Sequence, residues 1–304
     1  MDYSRHSGPL ISVIVPVFNE EQSIGRLLQG LHSQLQPLDS FEVVLVDNGS
    51  TDGTLNLVRE FNLQGKLNIR ILHELKRSSY AARNRGVKEA GSVKYIVFID
   101  ADCVPKAEWL CNGIQAMERS NADLVGGHVC FEFSENPSAA EVVDSFTNLQ
   151  MQHGIETGGF TRTANLFVKR TVFDRIGLFD PEVQSGEDIR WTKKATDSGL
   201  KLIFAKDAGV THPARGWGPM IIKQFRVGIG KNAVLRVQGL NGSAALKKTL
   251  LSLWIPKWHK VKPRINHLPE AELRRRKMSI LFALWALRFV TAFGQLCCFL
   301  RFSK

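Results

Sequence analysis

Two carboxylates separated by one residue follow an apolar run in this 304-residue chain. Asp100 and Asp102 come directly after residues 95–99, a predominantly apolar segment that predicts a buried β-strand. Side chains two apart in an extended chain point to the same face, so both carboxylates can reach one cation. Mg²⁺ and Mn²⁺ prefer oxygen ligands and often share them with substrate phosphates. The spacing therefore indicates a divalent-metal site suited to a nucleoside diphosphate.

The same carboxylates allow a second interpretation. Pro105 stands where a proline often opens a helix, and acidic side chains favour helix starts. On this interpretation Asp100 and Asp102 only cap the next helix. A motif this short leaves both possibilities open.

Strands and helices alternate through the first hundred residues. Predicted apolar strands cover residues 13–17, 41–46, 69–72 and 95–99, and helical patterns follow them. Continuous apolar strands separated by helices predict a parallel sheet covered on both faces. Asp47, Asp100 and Asp102 would then lie at the carboxyl ends of strands, where such sheets bind ligands.

Four segments, in order, resemble the successive motifs of family 2 glycosyltransferases of the GT-A fold. They are VIVPVFNE at 13–20, VDNGSTDGT at 46–54, ARNRG at 82–86 and DAD at 100–102. Similar stretches at 125–127, 163–166, 176–180 and 186–188 extend the resemblance over about residues 10 to 230. Residues 223–228 are similar to a segment of exopolysaccharide-building members. The resemblance implies a Rossmann-like α/β/α sandwich with a mostly parallel central sheet and hexosyltransferase-like activity.

The resemblance also implies roles for individual residues. The nucleotide would meet Pro16, Val17, Asn19, Glu20, Asp47, Arg83, Asn84 and Asp100. Asp102 would bind the metal, Mn²⁺ or Mg²⁺, with Asp100 nearby and His212 as a further candidate ligand. His212 could equally be a structural hydrogen-bonding residue, because imidazole is only an occasional partner of a hard cation.

Asp188 corresponds in the family to the general base that deprotonates the acceptor hydroxyl. A carboxylate opposite a stabilised diphosphate leaving group allows single displacement, which inverts the anomeric centre. The other interpretation is a helix-dipole carboxylate, because residues 189–198 could form a helix closed by Gly199. Contacts with the donor sugar or the acceptor are expected from Asn165, Glu187, Arg215 and Trp217. Arg226 and Lys231 could bind an anion or form a solvated basic face.

The positive charge of the chain lies in its last sixty residues. Residues 245–304 hold 13 Lys+Arg and 2 Asp+Glu, and the rest is balanced at 27 and 27, which leaves the net charge of +11 in the tail. Arg274–Lys277 precede an apolar run, residues 280–300, that is long enough to cross a bilayer. Arg288 opposes that interpretation, since a central Arg costs about 2.5–3.5 kcal/mol.

A basic, apolar tail predicts attachment to an anionic membrane, either spanning it or lying in its plane. A tail folded back on the protein is the alternative, and nucleic-acid binding lacks any recognisable fold signature. Residues 1–9 contain no apolar signal segment, so we expect the catalytic part at the cytoplasmic face of the cell membrane. The predicted division is a catalytic domain at 1–239, with a nucleotide half at about 10–125 and an acceptor half at about 126–239, followed by a membrane-associated segment at 240–304.

The function that the resemblance implies is transfer of a sugar from a nucleotide sugar, with a UDP-sugar expected first, to a lipid-linked or polysaccharide acceptor. An oxidoreductase would need G-x-G-x-x-G after the first strand, where PVFNE stands. A catalytically inactive scaffold of the same fold would be expected to lack Asp102 or Asp188. Five cysteines without CxxC spacing argue against a zinc site or a disulfide framework.

Overall fold

A computed structural model describes residues 9–65, 67–237 and 276–302, together with residues 244, 247, 250, 251, 253 and 261. Its strands join in one sheet with the order β3-β2-β1-β4-β7-β6-β8-β5. The strands are β1 Ile11–Val17, β2 Phe41–Asp47, β3 Ile69–His73, β4 Tyr95–Ile99, β5 Val104–Pro105, β6 Leu124–Glu132, β7 Asn165–Lys169 and β8 Leu202–Pro213.

The sheet is parallel in one half and antiparallel in the other. β1 pairs in parallel with β2 and β4, and β2 pairs in parallel with β3. β7 pairs antiparallel with β4 and β6, and β5 pairs antiparallel with β8. The parallel half is the part that the alternating apolar strands predicted, and the predicted α/β fold is confirmed there.

Helices connect these strands. The helices in the described part of the chain are α1 Ile24–His32, α2 Thr54–Leu63, α3 Ser79–Glu89, α4 Trp109–Ser120, α5 Ala139–Thr147, α6 Met151–Gly158, α7 Thr171–Ile176, α8 Glu187–Asp197, α9 Trp217–Val237 and α10 Lys277–Phe302. Four buried residues at helical spacing, Ile24, Leu27, Leu28 and Leu31, place one face of α1 in the core.

The chain divides into two compact units. The first contains the residues up to Cys130, Met151–Glu182 and Trp191–His212, and the second contains Phe131–Gln150, Val183–Arg190 and the residues from Pro213 onward. The second unit thus begins well before residue 240, where the sequence predicted the appendage to start. The reason is that α5 and α9 share a core with α10.

The core of the first unit lies between its helices and the sheet. Every residue of β2 and β4 is buried. Helix α3 lies so close to β1 that a Cβ on Gly86 would be 2.5 Å from Ile14 Cγ2. An aromatic cluster closes the same core, with the Phe179 ring 4.8 Å from Trp191 and 5.6 Å from Phe98.

The second unit has its own apolar core. It joins α5, α9 and α10 through Ala140, Val142, Val143, Phe146, Met220, Ile280, Ala283, Leu284 and Leu287, and Val261 belongs to the same cluster. Within the described residues, Lys277–Cys298 of α10 is long and apolar enough to cross a membrane, with a mean hydropathy of 1.7. The core accounts for one face of that helix.

Candidate functional site

The carboxyl ends of β1, β2 and β4 meet at one edge of the sheet. Val17, the last residue of β1, lies opposite Asp47, the last residue of β2. On the other side of β1, Ile14 lies opposite Phe98, two residues before Asp100. The register therefore brings Asp47 and Asp100 to the same edge, as the strand pattern predicted.

Asp47 is buried, and its carboxylate is held by its own loop. Oδ2 accepts the Gly49 N–H at 3.2 Å, Oδ1 accepts the Ser50 N–H at 3.1 Å, and His73 Nδ1 lies 3.4 Å from Oδ2. Burial alone would raise the pKa of Asp47, but the hydrogen bonds from Ser50, Gly49 and His73 outweigh it and hold the pKa below 3.8. Asp47 is therefore an anion that shapes the loop.

The loop after β1 is bonded to the loop after β2. Asn19 adopts a left-handed backbone with φ 53°. Its N–H donates to Ser50 Oγ at 3.0 Å, and its Oδ1 accepts the Thr51 N–H at 2.8 Å. The Glu20 N–H donates to Thr54 Oγ1 at 2.8 Å. These hydrogen bonds fix the two loops to each other next to Pro16 and Val17, the last residues of β1.

Arg83 and Asp100 form a largely buried ion pair. Arg83 lies in α3 with 5% of its surface exposed, and its Nη2 is 2.6 Å from Asp100 Oδ1. Asp100 keeps 29% of its side chain exposed. The guanidinium thus orients a carboxylate that remains accessible to a ligand.

Asn84, also expected at the nucleotide, is bonded to the protein backbone. Its Nδ2 donates to the Phe179 carbonyl at 2.8 Å, and its Oδ1 accepts the Phe179 N–H at 3.0 Å. This pair of bonds ties α3 to the loop that contains Phe179. Its expected nucleotide contact therefore has no support in this geometry.

Asp102 pairs with His212. His212 Nε2 lies 3.1 Å from Asp102 Oδ2, with the His212 side chain fully buried and 20% of the Asp102 side chain exposed. The pairing of β5 with β8 explains this meeting, since Val104 lies opposite Thr211. The two-residue strand β5 was not predicted from the sequence, although it delivers His212 to Asp102.

The helix-capping interpretation of Asp100 and Asp102 is wrong. Pro105 belongs to β5, and the next helix, α4, begins at Trp109 with Glu108 as its N-cap residue. The carboxylates therefore precede a strand. Their place after β4 fits a ligand-binding role better than a capping role.

The donor set fits a divalent cation that binds together with a substrate. Asp102 offers a partly exposed carboxylate, with His212 beside it and Asp100 two residues away. Among the residues that the structure describes, no group of three or more His, Cys, Asp or Glu side chains is arranged around a common metal position. A cation here would need oxygen ligands from the substrate and water, as Mg²⁺ in phosphate sites commonly does.

Asn165 is a structural residue. It is fully buried, and its Nδ2 donates to the carbonyls of His128 and Ala208, each at 2.9 Å. Its Oδ1 accepts Trp109 Nε1–H at 2.8 Å. Because the amide has no exposed atom and is bonded at both ends, we do not retain the expected sugar contact.

Glu187 and Asp188 are the first two residues of helix α8, and both belong to the second unit. Glu187 is 5% exposed and lies 2.9 Å from Arg190 Nη1. Asp188 Oδ1 accepts the Ile189 N–H at 3.0 Å. Both interpretations of Asp188, as a base and as a helix-dipole carboxylate, place it in this first turn.

Arg215 is held by a residue that the sequence analysis missed. Asp144 of α5 is fully buried, and its Oδ2 accepts the Arg215 N–H at 3.0 Å. Lys223 Nζ lies 3.4 Å from Asp144 Oδ1. An acidic residue between Val142, Val143 and Phe146 in a helical pattern was the available signal. Trp217, the first residue of α9, is 37% exposed.

An exposed aromatic side chain lies at the edge of the sheet, in the loop at 16–20 that the resemblance assigns to the nucleotide. Phe18 is 44% exposed, and the Arg77 guanidinium carbon lies 4.1 Å from the centre of its ring. Arg77 Nη1 also donates to the Asn48 carbonyl at 3.4 Å. Phe18 stands between Val17 and Asn19 in the motif at 13–20. The sequence shows an aromatic residue in this loop but does not show that its ring is exposed.

Sequence comparison identifies the class. Residues 12–177, more than half of the chain, match the profile of Glycosyl transferase family 2. The chain belongs to this family.

The relatives and the solved structures agree with that assignment. Glycosyltransferase AglE of Haloferax volcanii is 39% identical over 95% of this chain and 92% of its own length. The dolichyl N-acetyl-alpha-D-glucosaminyl phosphate 3-beta-D-2,3-diacetamido-2,3-dideoxy-beta-D-glucuronosyltransferase of Methanococcus voltae is 28% identical over 74% of each chain. Mannosyltransferase PcManGT of Pyrobaculum calidifontis, solved with GDP-Man and Mn²⁺, has a TM-score of 0.64 at 20% identity, covering 95% of this chain and 87% of its own.

Staphylococcus aureus TarS 1–349, solved with UDP-GlcNAc, has a TM-score of 0.56 at 19% identity, covering 94% of this chain and 92% of its own. These similarities confirm the GT-A-like fold and the glycosyltransferase class that the four motifs predicted.

Proposed function

We propose that this enzyme transfers a sugar from a nucleoside diphosphate sugar to a lipid-linked or glycan acceptor by a metal-dependent single displacement. The observation that carries the proposal is the pairing of Asp102 with His212 next to Asp100, which Arg83 holds in place. This group stands at the carboxyl edge of the parallel strands, where α/β sheets bind nucleotides.

The metal site is assigned to Asp102 as direct ligand, with His212 beside it and Asp100 near the ribose. A Mn²⁺ or Mg²⁺ ion bound there would neutralise the charge that develops on the departing diphosphate. Asp102 keeps an exposed part, and His212 is completely buried. His212 therefore orients the carboxylate from behind, as partners of ligating groups commonly do.

The nucleotide is assigned to the edge formed by the loops after β1 and β2. The hydrogen bonds of Asn19, Glu20 and Asp47 set the shape of this edge before a ligand arrives. Such preorganisation lowers the ordering cost of binding. Phe18, exposed beside Arg77, adds a flat apolar face at the same edge.

Asp188 is assigned as the base that takes the proton of the acceptor hydroxyl. Asp188 lies in the first turn of α8, and a carboxylate can accept a proton from a hydroxyl group. Glu187, Arg215 and Trp217 are assigned to the acceptor side. Attack by the deprotonated hydroxyl opposite the diphosphate inverts the anomeric centre.

The acceptor class is inferred from the relatives. The Methanococcus voltae enzyme is named for a dolichyl phosphate-linked sugar, and the Staphylococcus aureus enzyme TarS is named for poly(ribitol-phosphate). We extend this to a lipid-linked acceptor for the present chain, at the cytoplasmic face of a membrane. A UDP-sugar is the donor that we would test first, followed by GDP-mannose.

The deciding experiment is a panel of nucleotide sugars with the full chain, with Mn²⁺ or Mg²⁺ present or removed by excess chelator. We expect one donor to release its nucleoside diphosphate slowly and to raise the melting temperature, both only with metal. Turnover that persists undiminished in chelator would refute the metal-dependent mechanism. Absence of release and of stabilisation with every donor would favour the inactive-scaffold alternative.

A further inference from the structure

Helix α10 has two different faces. Ile280, Ala283, Leu284 and Leu287 lie in the core of the second unit. On the opposite side, five apolar side chains form a stripe at spacings of three, four or seven residues, as expected for one face of a helix. This apolar stripe consists of Met278, Phe282, Phe289, Phe293 and Leu296, which are 75%, 60%, 43%, 62% and 41% exposed.

The buried face of α10 is covered by protein over most of the helix. A Cβ on Gly228 of α9 would lie 2.2 Å from the Thr291 carbonyl oxygen, and a Cβ on Gly294 would lie 2.3 Å from the Phe225 carbonyl oxygen. Only glycine permits so close an approach of two helix backbones. Gln295, near the end of the same face, is 1% exposed. Because the two helices are packed this closely, α9 and α10 must have the same position relative to a membrane.

The neighbours of α10 carry charges that do not suit hydrocarbon. Asp144 of α5 is buried against Arg215 and Lys223. Helix α9 also contains Arg226 and Lys231. A spanning α10 would need about 20 residues inside the bilayer, and would carry these groups into it. A helix that lies in the interface needs only one apolar face.

We propose that α10 lies in the plane of an anionic membrane surface, with the apolar stripe in the acyl region, and does not cross the bilayer. The inference rests on the membrane attachment proposed above and adds its geometry. Ile221 and Ile222 of α9 are also exposed. Phe225 of the same helix contacts the Phe293 ring at 6.0 Å.

The excess of basic residues in the segment that contains the apolar stripe favours an anionic lipid surface as its binding partner. Residues 245–304 contain 13 basic and 2 acidic residues, and Arg276 and Lys277 are exposed at the start of α10. Two such tails repel each other, which disfavours a second copy of the chain. Anionic headgroups attract each basic residue near the surface.

The orientation of α10 is tested with the full chain carrying a cleavable tag after Lys304, in inverted membrane vesicles from the expression host. An in-plane α10 leaves this tag outside, so added protease removes it completely without detergent. A tag that stays protected until detergent is added would overturn the proposal while leaving membrane attachment intact. A tag before Met1, cleaved in the same vesicles, controls for sealing and orientation.

The stripe itself is tested by flotation with vesicles of phosphatidylcholine and phosphatidylglycerol. Phe289→Asp and Phe293→Asp should each lower the partition coefficient by at least about tenfold, because a phenyl group leaves the acyl region. Leu63→Asp is the matched control, since Leu63 is 86% exposed in the first unit, and it should float like wild type. Unchanged thermal unfolding of each variant shows that the fold is intact.

Stripe variants that float like wild type would overturn the proposal. A full chain that stays unbound at low salt would overturn both this proposal and the membrane attachment. Sedimentation velocity without lipid adds a further outcome, since a dimer that the stripe variants dissociate would assign the stripe to a second copy. Release of nucleoside diphosphate, measured separately, shows whether the proposed reaction stands in each case.

Discussion

Single residues at the carboxyl edge of the sheet carry the proposed chemistry, and their partners explain how they do so. His212 lies beneath Asp102, and Arg83 holds Asp100. In each pair the partner is nearly or fully buried, while the carboxylate keeps an exposed part. The partners therefore fix the orientation of the carboxylates and leave them accessible to the donor.

We predict that His212→Ala weakens metal-dependent nucleotide binding by about 10- to 100-fold, because Asp102 loses the group that orients it. Nucleotide affinity measured without metal should stay close to that of wild type. Isothermal titration of UDP or GDP, with and without Mn²⁺, separates the two effects. Equal losses with and without metal would show that His212 supports the fold and not the cation.

Asp47 gives a prediction about pH. Because the pKa of Asp47 is lowered in the folded protein, its carboxylate stabilises the fold at pH values above 3.8. This contribution to the free energy of unfolding is lost as the pH falls through the lowered pKa. Asp47→Asn should therefore cost about 1–3 kcal/mol near neutral pH and progressively less in acid. Urea unfolding from pH 7 to pH 2 checks this, with the exposed Asp39→Asn as control. A cost that does not vary with pH would contradict the assignment.

Asp188 provides a test of the proposed base. Asp188→Asn should lose most transfer and keep donor affinity, because a general base acts in the transition state and not in donor binding. Turnover and donor affinity are measured on the same preparation. Equal losses in both would favour the helix-dipole interpretation. Retention of the donor's anomeric configuration in the product would refute single displacement.

At the scale of elements, close packing between α3 and β1 holds Arg83 at the site. Gly86→Ala would place a Cβ 2.5 Å from Ile14 Cγ2, so we expect a cost of about 1–3 kcal/mol. Gly25→Ala in α1 meets no atom within 4 Å and should stabilise the protein by about 0.5–1 kcal/mol. If the packing is as described, denaturant unfolding should show a lower free energy of unfolding for Gly86→Ala and a higher one for Gly25→Ala than for wild type. The same sign for both would contradict it.

Elements also show where sequence interpretation works. The strands at 13–17, 41–46, 69–72 and 95–99 were predicted because apolar residues dominate each run, as is typical of a parallel sheet covered by helices, although Glu42 and Arg70 interrupt two of the runs. The strand β5 escaped prediction because two residues have no periodicity. Its pairing with β8 depends on a contact between positions about a hundred residues apart, which local patterns do not encode.

The positions of single residues could be predicted where they depend on a nearby strand, but not where they depend on partners from distant parts of the chain. Asp47, Asp100 and Asp102 were placed correctly at the edge because each follows an apolar strand. Asn165 was misjudged because its motif does not reveal that Trp109, His128 and Ala208 supply partners for its amide. Asp144 was missed for the same reason, since its cations come from outside its own helix.

For the whole molecule, α10 is part of a folded unit and not a detachable appendage. The predicted boundary at residue 239 separates α10 from α5 and α9, whose apolar side chains it covers. We therefore expect truncation after Gly239 to lower the melting temperature and to promote aggregation, because Phe146, Val143 and Met220 become exposed. Differential scanning calorimetry and light scattering of the two chains check this. A truncated chain as stable and monodisperse as the full chain would contradict the shared core.

The central claim, that a cation held by Asp102 serves nucleotide-sugar transfer, is tested most directly by turnover of the full chain with the donor found in the panel. We predict that wild type releases nucleoside diphosphate with Mn²⁺ and that its turnover stops in excess chelator. Asp39→Asn, the control variant at an exposed carboxylate, should behave in the same way. Asp102→Asn should lose at least about 10²-fold in turnover with Mn²⁺ present, the scale of removing one main electrostatic contribution to the transition state. Turnover of Asp102→Asn equal to wild type, or wild-type turnover unaffected by chelator, would contradict the account.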